Sequence, residues 1–288
     1  MSQAETSTAQ VFDDRACTLG EGPLWHPERQ QLFWFDIIQK RLHSQEGGAP
    51  LTWQFDEHHS AAGWVDRDTL LLASETGLWR FDIASGDRAL LVALEADEPV
   101  TRSNDGRADP QGGFWIGTMG KQAEKDAGTI YRYYRGAIET LYSDISIPNA
   151  ICFSPDGATA YYADTPRQQI RRQALDAEGW PEGPSEVFID LAPEGLNPDG
   201  AVVDAEGYLW NAQWGANRVA RYAPDGSFDR AVRVGGSHSS CPAFGGADLT
   251  TLFVTTAREG LDSPDAAQGK LYASKTGLRG QAEHRVIL

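Results

Sequence analysis

The 288-residue chain has little cysteine and little positive charge. Its three cysteines, Cys17, Cys152 and Cys241, lie far apart and form no CxxC pair. That argues against a disulfide framework or a thiolate zinc site and suits a reducing compartment. Only 25 Lys and Arg stand against 41 Asp and Glu, a formal net charge of −16. Without a basic stripe the chain lacks the clustered cations that displace counterions from phosphates, so nucleic acid is excluded as a partner. No apolar run approaches the roughly 20 residues that span a bilayer, which excludes a helical membrane anchor. The stretch Met1–Gln10 has neither a basic start nor an apolar segment, so no signal peptide is expected and the compartment is read as cytoplasmic. Helical apolar stripes are missing too, as are a G-x-S-x-G elbow, a P-loop and a dinucleotide fingerprint.

What the chain does have is apolar material and punctuation. With 41% hydrophobic and 23% charged residues it can bury a core, and disorder is excluded. Thirty glycines, 15 prolines and nine tryptophans fit short strands joined by many turns.

A repeat organises these strands. Glu21, Asn104, Asn149 and Asp199 are each followed five positions later by His26, Asp109, Ser154 or Asp204, then by Pro or Ala, a turn and an apolar strand. Weaker copies begin at Ala61 and Pro242, so the anchors recur every 40 to 50 residues or so. Period-2 alternation with aromatic and β-branched residues marks three or four strands per unit, and units of that size are propeller blades. The expected fold is all-β, a single six-bladed propeller over residues 1–288 with four-stranded blades. Strands from Gln10–Phe12 and Glu283–Leu288 would complete one shared blade and remove the open edges.

In such a ring the anchors converge on the axis. Carboxylates gathered in a channel repel one another and are costly to desolvate without a cation between them. Glu21, Asn149 and Asp199 are therefore the expected ligands of a metal in the central channel. An all-oxygen set selects one hard divalent ion, Ca²⁺ first, with Mg²⁺ and Mn²⁺ close and Zn²⁺ or Fe²⁺ admissible. Asp156-Gly157, Asp225-Gly226 and Glu206-Gly207 read as hairpin turns. His58 and His59 read as satisfied or solvated, and Trp214 reads as packing.

The segments Gly20–Trp25, Arg102–Gly106, Gly117–Met119, Pro148–Ala150, Asn197–Gly200 and Pro242–Gly246 together resemble the regucalcin/gluconolactonase family of propeller lactonases. The resemblance implies metal-dependent hydrolysis of a sugar lactone, with the metal on Glu21, Asn149 and Asp199 and the substrate on Arg102 and Asn104. Where some relatives place a substrate-binding acid after Gly117–Met119, this chain has Gly120-Lys121. Lys121 beside Arg102 is expected to bind substrate and to favour a lactone bearing its own carboxylate. Asp199 is the expected general base toward water. A paraoxonase-like arylesterase or phosphotriesterase, and a calcium-binding propeller without catalysis, are the alternatives. The partner is a small molecule, and the chain a monomer or weak homo-oligomer.

Overall fold

The computed structural model describes residues 6–288, so the reading of Met1–Gln10 as leader-free falls partly on residues outside the described ones. The described residues form 25 β-strands and two short 3-10 turns. None of their helices is long and apolar enough to cross a membrane. Six inner strands define the architecture: β1 (Gly20–His26), β2 (His59–Asp66), β3 (Thr101–Ala108), β4 (Pro148–Phe153), β5 (Asn197–Val203) and β6 (His238–Gly245). Each packs against the next, and β6 packs against β1, so the ring closes.

The strand behind each inner strand is the most apolar. Gln31–Asp36, Thr69–Ser74 and Phe114–Gly120 are buried along their whole length, as expected of strands covered on both faces. The outermost strands, such as Ala49–Gln54, alternate toward solvent. The apolar core is divided into clusters shared by neighbouring sheets. In one of them Ala61, Leu71 and Leu78 meet Ala108, Phe114 and Ile116.

The expectation of six separate four-stranded blades is corrected here. Four sheets have four strands each, built on β1, β2, β3 and β4, but β5 and β6 belong to one nine-stranded sheet. A single antiparallel bridge, Trp214 to His238, fuses the two halves of that sheet. The indole and imidazole stack over it at 4.1 Å. Closure also differs from expectation. Gln10–Asp13 does pair with Leu271–Lys275 at one end of the nine-stranded sheet, and Thr6–Thr8 adds a parallel strand at the other.

Glu283–Leu288 forms no strand in that sheet. Its segment crosses the far end of the ring instead. Gln281 Nε2 donates to the carbonyls of Phe153 and Val203, the Val286 N–H to Trp64 and the Ile287 N–H to Gly112. Trp64 Nε1 donates to the Glu283 carbonyl, and the Glu283 carboxylate pairs with Arg107.

In two units the aspartate five positions after the anchor closes the first hairpin. Asp109 Oδ1 accepts from the N–H groups of Gln111 and Gly113 at 3.0 and 2.8 Å. Asp204 Oδ1 does the same for Glu206 and Tyr208, both at 3.0 Å. This is the Asx-turn chemistry that favours aspartate there. The second carboxylate oxygen then takes an arginine from the third strand: Arg132 Nε at 2.7 Å for Asp109, and Arg221 Nη2 at 2.7 Å for Asp204.

Candidate active site

The site lies where the inner strands begin, and a shared irregularity builds it. All six lose pairing register within their first few residues, after Glu21, His59, Ser103, Asn149, Pro198 and Ser239. Such bulges turn side chains out of the regular pleat. They also correct the expected common phase. Glu21 and Asn149 are the last paired residues before the break, whereas Asn104 and Asp199 stand one residue later, inside it. Pro242 comes after the break, where pairing has resumed with Val254. Spacing along the chain therefore conceals a one-residue offset that the unpaired backbone absorbs.

Two positions make the geometry demanding. Gly22 has φ +52°, and a Cβ there would lie 2.2 Å from the Ser60 carbonyl oxygen. A Cβ on Gly200 would lie 2.3 Å from Cys241 Sγ. Each glycine follows an acid of the site, so the backbone can turn the carboxylate to the axis only where no side chain intervenes.

Glu21, Arg102, Asn104, Asp105, Asn149 and Asp199 are all buried. Burial, and then the charge of Asp105, push the Glu21 carboxyl up. Burial followed by the charges of Glu21 and Asp105 push Asp199 well up. Asp105, whose Oδ2 accepts the Ile151 N–H at 2.8 Å, is raised by burial to about 6. Burial weakens the hold of Arg102 on its proton, against the pull of Glu259 and Glu21. Arg107 moves the other way, because Glu283 outweighs its burial. The channel thus encloses four carboxylates, those of Glu21, Asp105, Asp199 and Glu283, and two guanidinium groups, those of Arg102 and Arg107. With all six groups ionised two negative charges would be left over, and burial together with these like charges is why Glu21 and Asp199 hold their protons more tightly.

Polar contacts run around the ring. Arg102 Nη1 donates to the Ser103 carbonyl at 2.8 Å and to Asn104 Oδ1 at 2.9 Å. Asn104 Nδ2 donates to the Pro148 carbonyl at 2.9 Å and to Asn149 Oδ1 at 3.2 Å. Asn149 Nδ2 donates to Thr165 Oγ1 at 2.8 Å, and Thr165 Oγ1 donates to the Pro198 carbonyl at 2.7 Å. Asn211 Nδ2 holds the Asp199 carbonyl from behind at 2.8 Å. Glu21 Oε2 and Asp199 Oδ1 each accept the following N–H at 3.0 Å. The described residues supply no donor to the other oxygen of either acid.

Five of the six predicted site residues therefore share one buried locus. Lys121 is the exception. Its Nζ donates to the Pro99 carbonyl at 2.9 Å and is paired with Glu75, so its ammonium is not free toward the axis. Glu75 also accepts the His58 N–H at 3.1 Å and faces His58 Nδ1 at 3.2 Å. Burial works against this carboxylate, but hydrogen bonds from Lys121 and His58 hold it down at about 2. His59 is satisfied by the Glu57 carbonyl, Arg88 and a stack on Phe55. The sequence reading missed Glu75, Asp105, Thr165 and Glu259. Asp105 adjoins Asn104 and could have been suspected, but Glu75, Thr165 and Glu259 come just after the second strands Thr69–Ser74, Thr159–Asp164 and Thr251–Ala257, where no single residue type recurs.

The expected metal site in the channel is not displayed as a cluster. Among the described residues no three His, Cys, Asp or Glu side chains are gathered as a metal-holding group. The expected ligand set has only two carboxylates, the third member being an amide. Its chemistry nonetheless fits a hard divalent cation: two buried acids with one unpartnered oxygen each, beside an amide oxygen, in a column short of two positive charges.

A closed ring of β-sheets carrying buried acids, amides and an arginine at one end of its axis defines a propeller-like protein with an axial polar site. The SMP-30/gluconolactonase/LRE-like pattern matches residues 19–258, and the chain belongs to that family. A Rhizobium meliloti (strain 1021) protein provisionally named a sugar lactone lactonase is 40% identical over 96% of each chain. The L-arabinolactonase of Azospirillum brasilense is 34% identical over 96% of this chain and 95% of its own. The crystal structure of a calcium-binding protein, regucalcin, from Agrobacterium tumefaciens covers 100% of both chains with a TM-score of 0.97 at 40% identity.

Proposed function

We propose that this chain, a lactonase by its family, hydrolyses an uncharged sugar lactone to the sugar acid, with one divalent cation held by Glu21, Asn149 and Asp199. The observation that carries the reading is the surplus of two negative charges in the axial column, located where two carboxylate oxygens lack partners. When bound, a hard divalent ion supplies a Lewis acid for the lactone carbonyl and reverses the repulsion between the two acids.

The chain's own residues do the remaining work. Among the described residues nothing bonds to Arg102 Nε or Nη2, and these donors, with the Asn104 side chain, orient the carbonyl and ring hydroxyls. The Asp199 carboxylate oxygen that does not hold the cation accepts a proton as the water oxygen adds to the carbonyl carbon. The ring carbon–oxygen bond then breaks, and the proton passes to the departing ring oxygen, which leaves as an alcohol.

Neutral substrates are favoured because, Arg102 apart, the charges around the site are negative or paired. Glu75 neutralises Lys121, and the field of Glu259 reaches Arg102 and Glu21. Glu75→Gln breaks that pairing and frees the ammonium. The kcat/KM ratio for carboxylated over neutral lactones should then rise about tenfold, equivalent to about 1.4 kcal/mol. An unchanged ratio would show that Lys121 does not face the substrate.

The reading is tested by stripping the protein with a chelator, restoring Ca²⁺, Mg²⁺, Mn²⁺, Zn²⁺ or Fe²⁺ singly, and assaying aldono- and aldarolactones. Turnover should fall at least 100-fold on stripping and return with one of the ions. Full activity in chelator would refute the metal, and inactivity on every lactone with every ion would refute the substrate class.

A further inference from the structure

The hydrogen-bonded path around the site has a direction. It starts at Arg102, whose guanidinium has donors and no acceptor, and ends at the Pro198 carbonyl, which can only accept. Every member between them is thereby oriented. Arg102 Nη1 fixes Asn104 with Oδ1 toward the arginine, so Asn104 turns Nδ2 to Asn149. At the other end Thr165 Oγ1 commits its single hydrogen to the Pro198 carbonyl at 2.7 Å. Its oxygen can then only accept, and what it accepts is Asn149 Nδ2 at 2.8 Å. An amide seldom carries its own evidence of which end is oxygen, but here the donors and acceptors around it decide.

We propose that Thr165 is a positioning residue for the cation. By taking the Asn149 amine end it turns the Asn149 oxygen to the axis, where a hard ion needs it. The inference rests on the metal reading above. Thr165 stands on the short turn Thr165–Arg167 that follows strand Thr159–Asp164. It also ties the sheet carrying Asn149 to the residue before Asp199, so one hydroxyl links two of the three ligand positions across neighbouring sheets. Outer-sphere partners of this kind commonly change metal affinity by about 10- to 100-fold.

The test is isothermal titration of the metal-stripped full chain with Ca²⁺ and with Mn²⁺. Thr165→Val keeps the shape and removes the acceptor, and it should weaken binding about 10- to 100-fold. Thr165→Ser keeps the hydroxyl and should stay within about threefold of wild type. The decisive arm uses Asn149→Asp. A carboxylate has two oxygens and no amine end to misdirect, so Thr165→Val added to Asn149→Asp should cost about threefold or less. A residue that merely supported the turn would cost the same in both backgrounds. Thr165→Ala is read in the same way if the valine variant loses its cooperative melt.

Wild-type affinity in Thr165→Val, or an equal loss in the Asn149→Asp background, overturns the assignment while leaving the metal intact. Failure of wild type to bind either ion overturns the metal reading and this inference with it.

Discussion

Asp199→Asn should lower kcat/KM for a sugar lactone by about 1,000-fold, within the range for loss of a general base. The substitution is nearly isosteric, and an amide oxygen still accepts the Gly200 N–H, so the bulge and the Asn211 contact to the Asp199 carbonyl persist. Two properties change. The oxygen that takes the proton becomes too weak a base, and the axial surplus of two negative charges falls to one. The second change alone would weaken metal binding, so Glu21→Gln is the control: it removes the same charge at the same burial but leaves the base in place. Steady-state kinetics at saturating metal separate the two. Glu21→Gln should recover most of its turnover and Asp199→Asn should not. Recovery of Asp199→Asn at high metal would make Asp199 a ligand only.

Asp109→Ala should cost about 3 to 5 kcal/mol of stability, the usual consequence of removing one partner of a buried ion pair. Asp109 and Arg132 have fully buried side chains. The guanidinium lies 4.4 Å from the Tyr134 ring and 4.3 Å from the Trp180 ring, and its Nη1 already lacks a partner. Without Asp109 the charge keeps only the Glu178 carbonyl, and the N–H groups of Gln111 and Gly113 lose their acceptor. At about 2 to 4 °C per kcal/mol the melting temperature should drop by roughly 10 °C. Glu186→Ala, which breaks the exposed pair with Arg172, should change stability by less than about 1 kcal/mol. Asp109 follows the end of β3 opposite Arg102, so kcat/KM well below the melting transition should be unaffected. Equal melts for Asp109→Ala and Glu186→Ala would show that the pair's burial carries no weight.

These two residues also mark what the sequence discloses and where it stops. Asp109 and Asp204 were legible because each stands at the same offset from its anchor, where an Asx turn favours aspartate, and the apolar strands after them repeat with it. Glu21 and Asn149 share a register position, so their convergence could be anticipated. Asp199 and Asn104 were found at the site despite a one-residue offset, since counting along the chain does not register residues that a bulge takes out of pairing. The number of separate sheets was not legible, because one bridge between Trp214 and His238 decides it and no pattern distinguishes that pair. The end of the chain misled for a related reason. Glu283–Leu288 contains Val286, Ile287 and Leu288 like a strand, but its backbone bonds are divided between two sheets, at Trp64 and Gly112. Glu75 and Thr165 were invisible because their roles depend on neighbours 16 to 46 positions away, Lys121 and His58 for one and Asn149 and Pro198 for the other.

The terminal segment that crosses the far end of the ring turns the channel into a cul-de-sac. Gln281, Glu283 and Val286 bind it to inner strands or their flanks, and Val286 is fully buried. Lactone and acid must then use the same doorway, in turn. The acids and Arg102 sit toward the open end, where Glu259 is exposed and its negative charge acts on Arg102 and Glu21. Hydrolysis of a neutral ring as proposed would make an anion within that negative field, so the product would be held less tightly than the substrate it replaces.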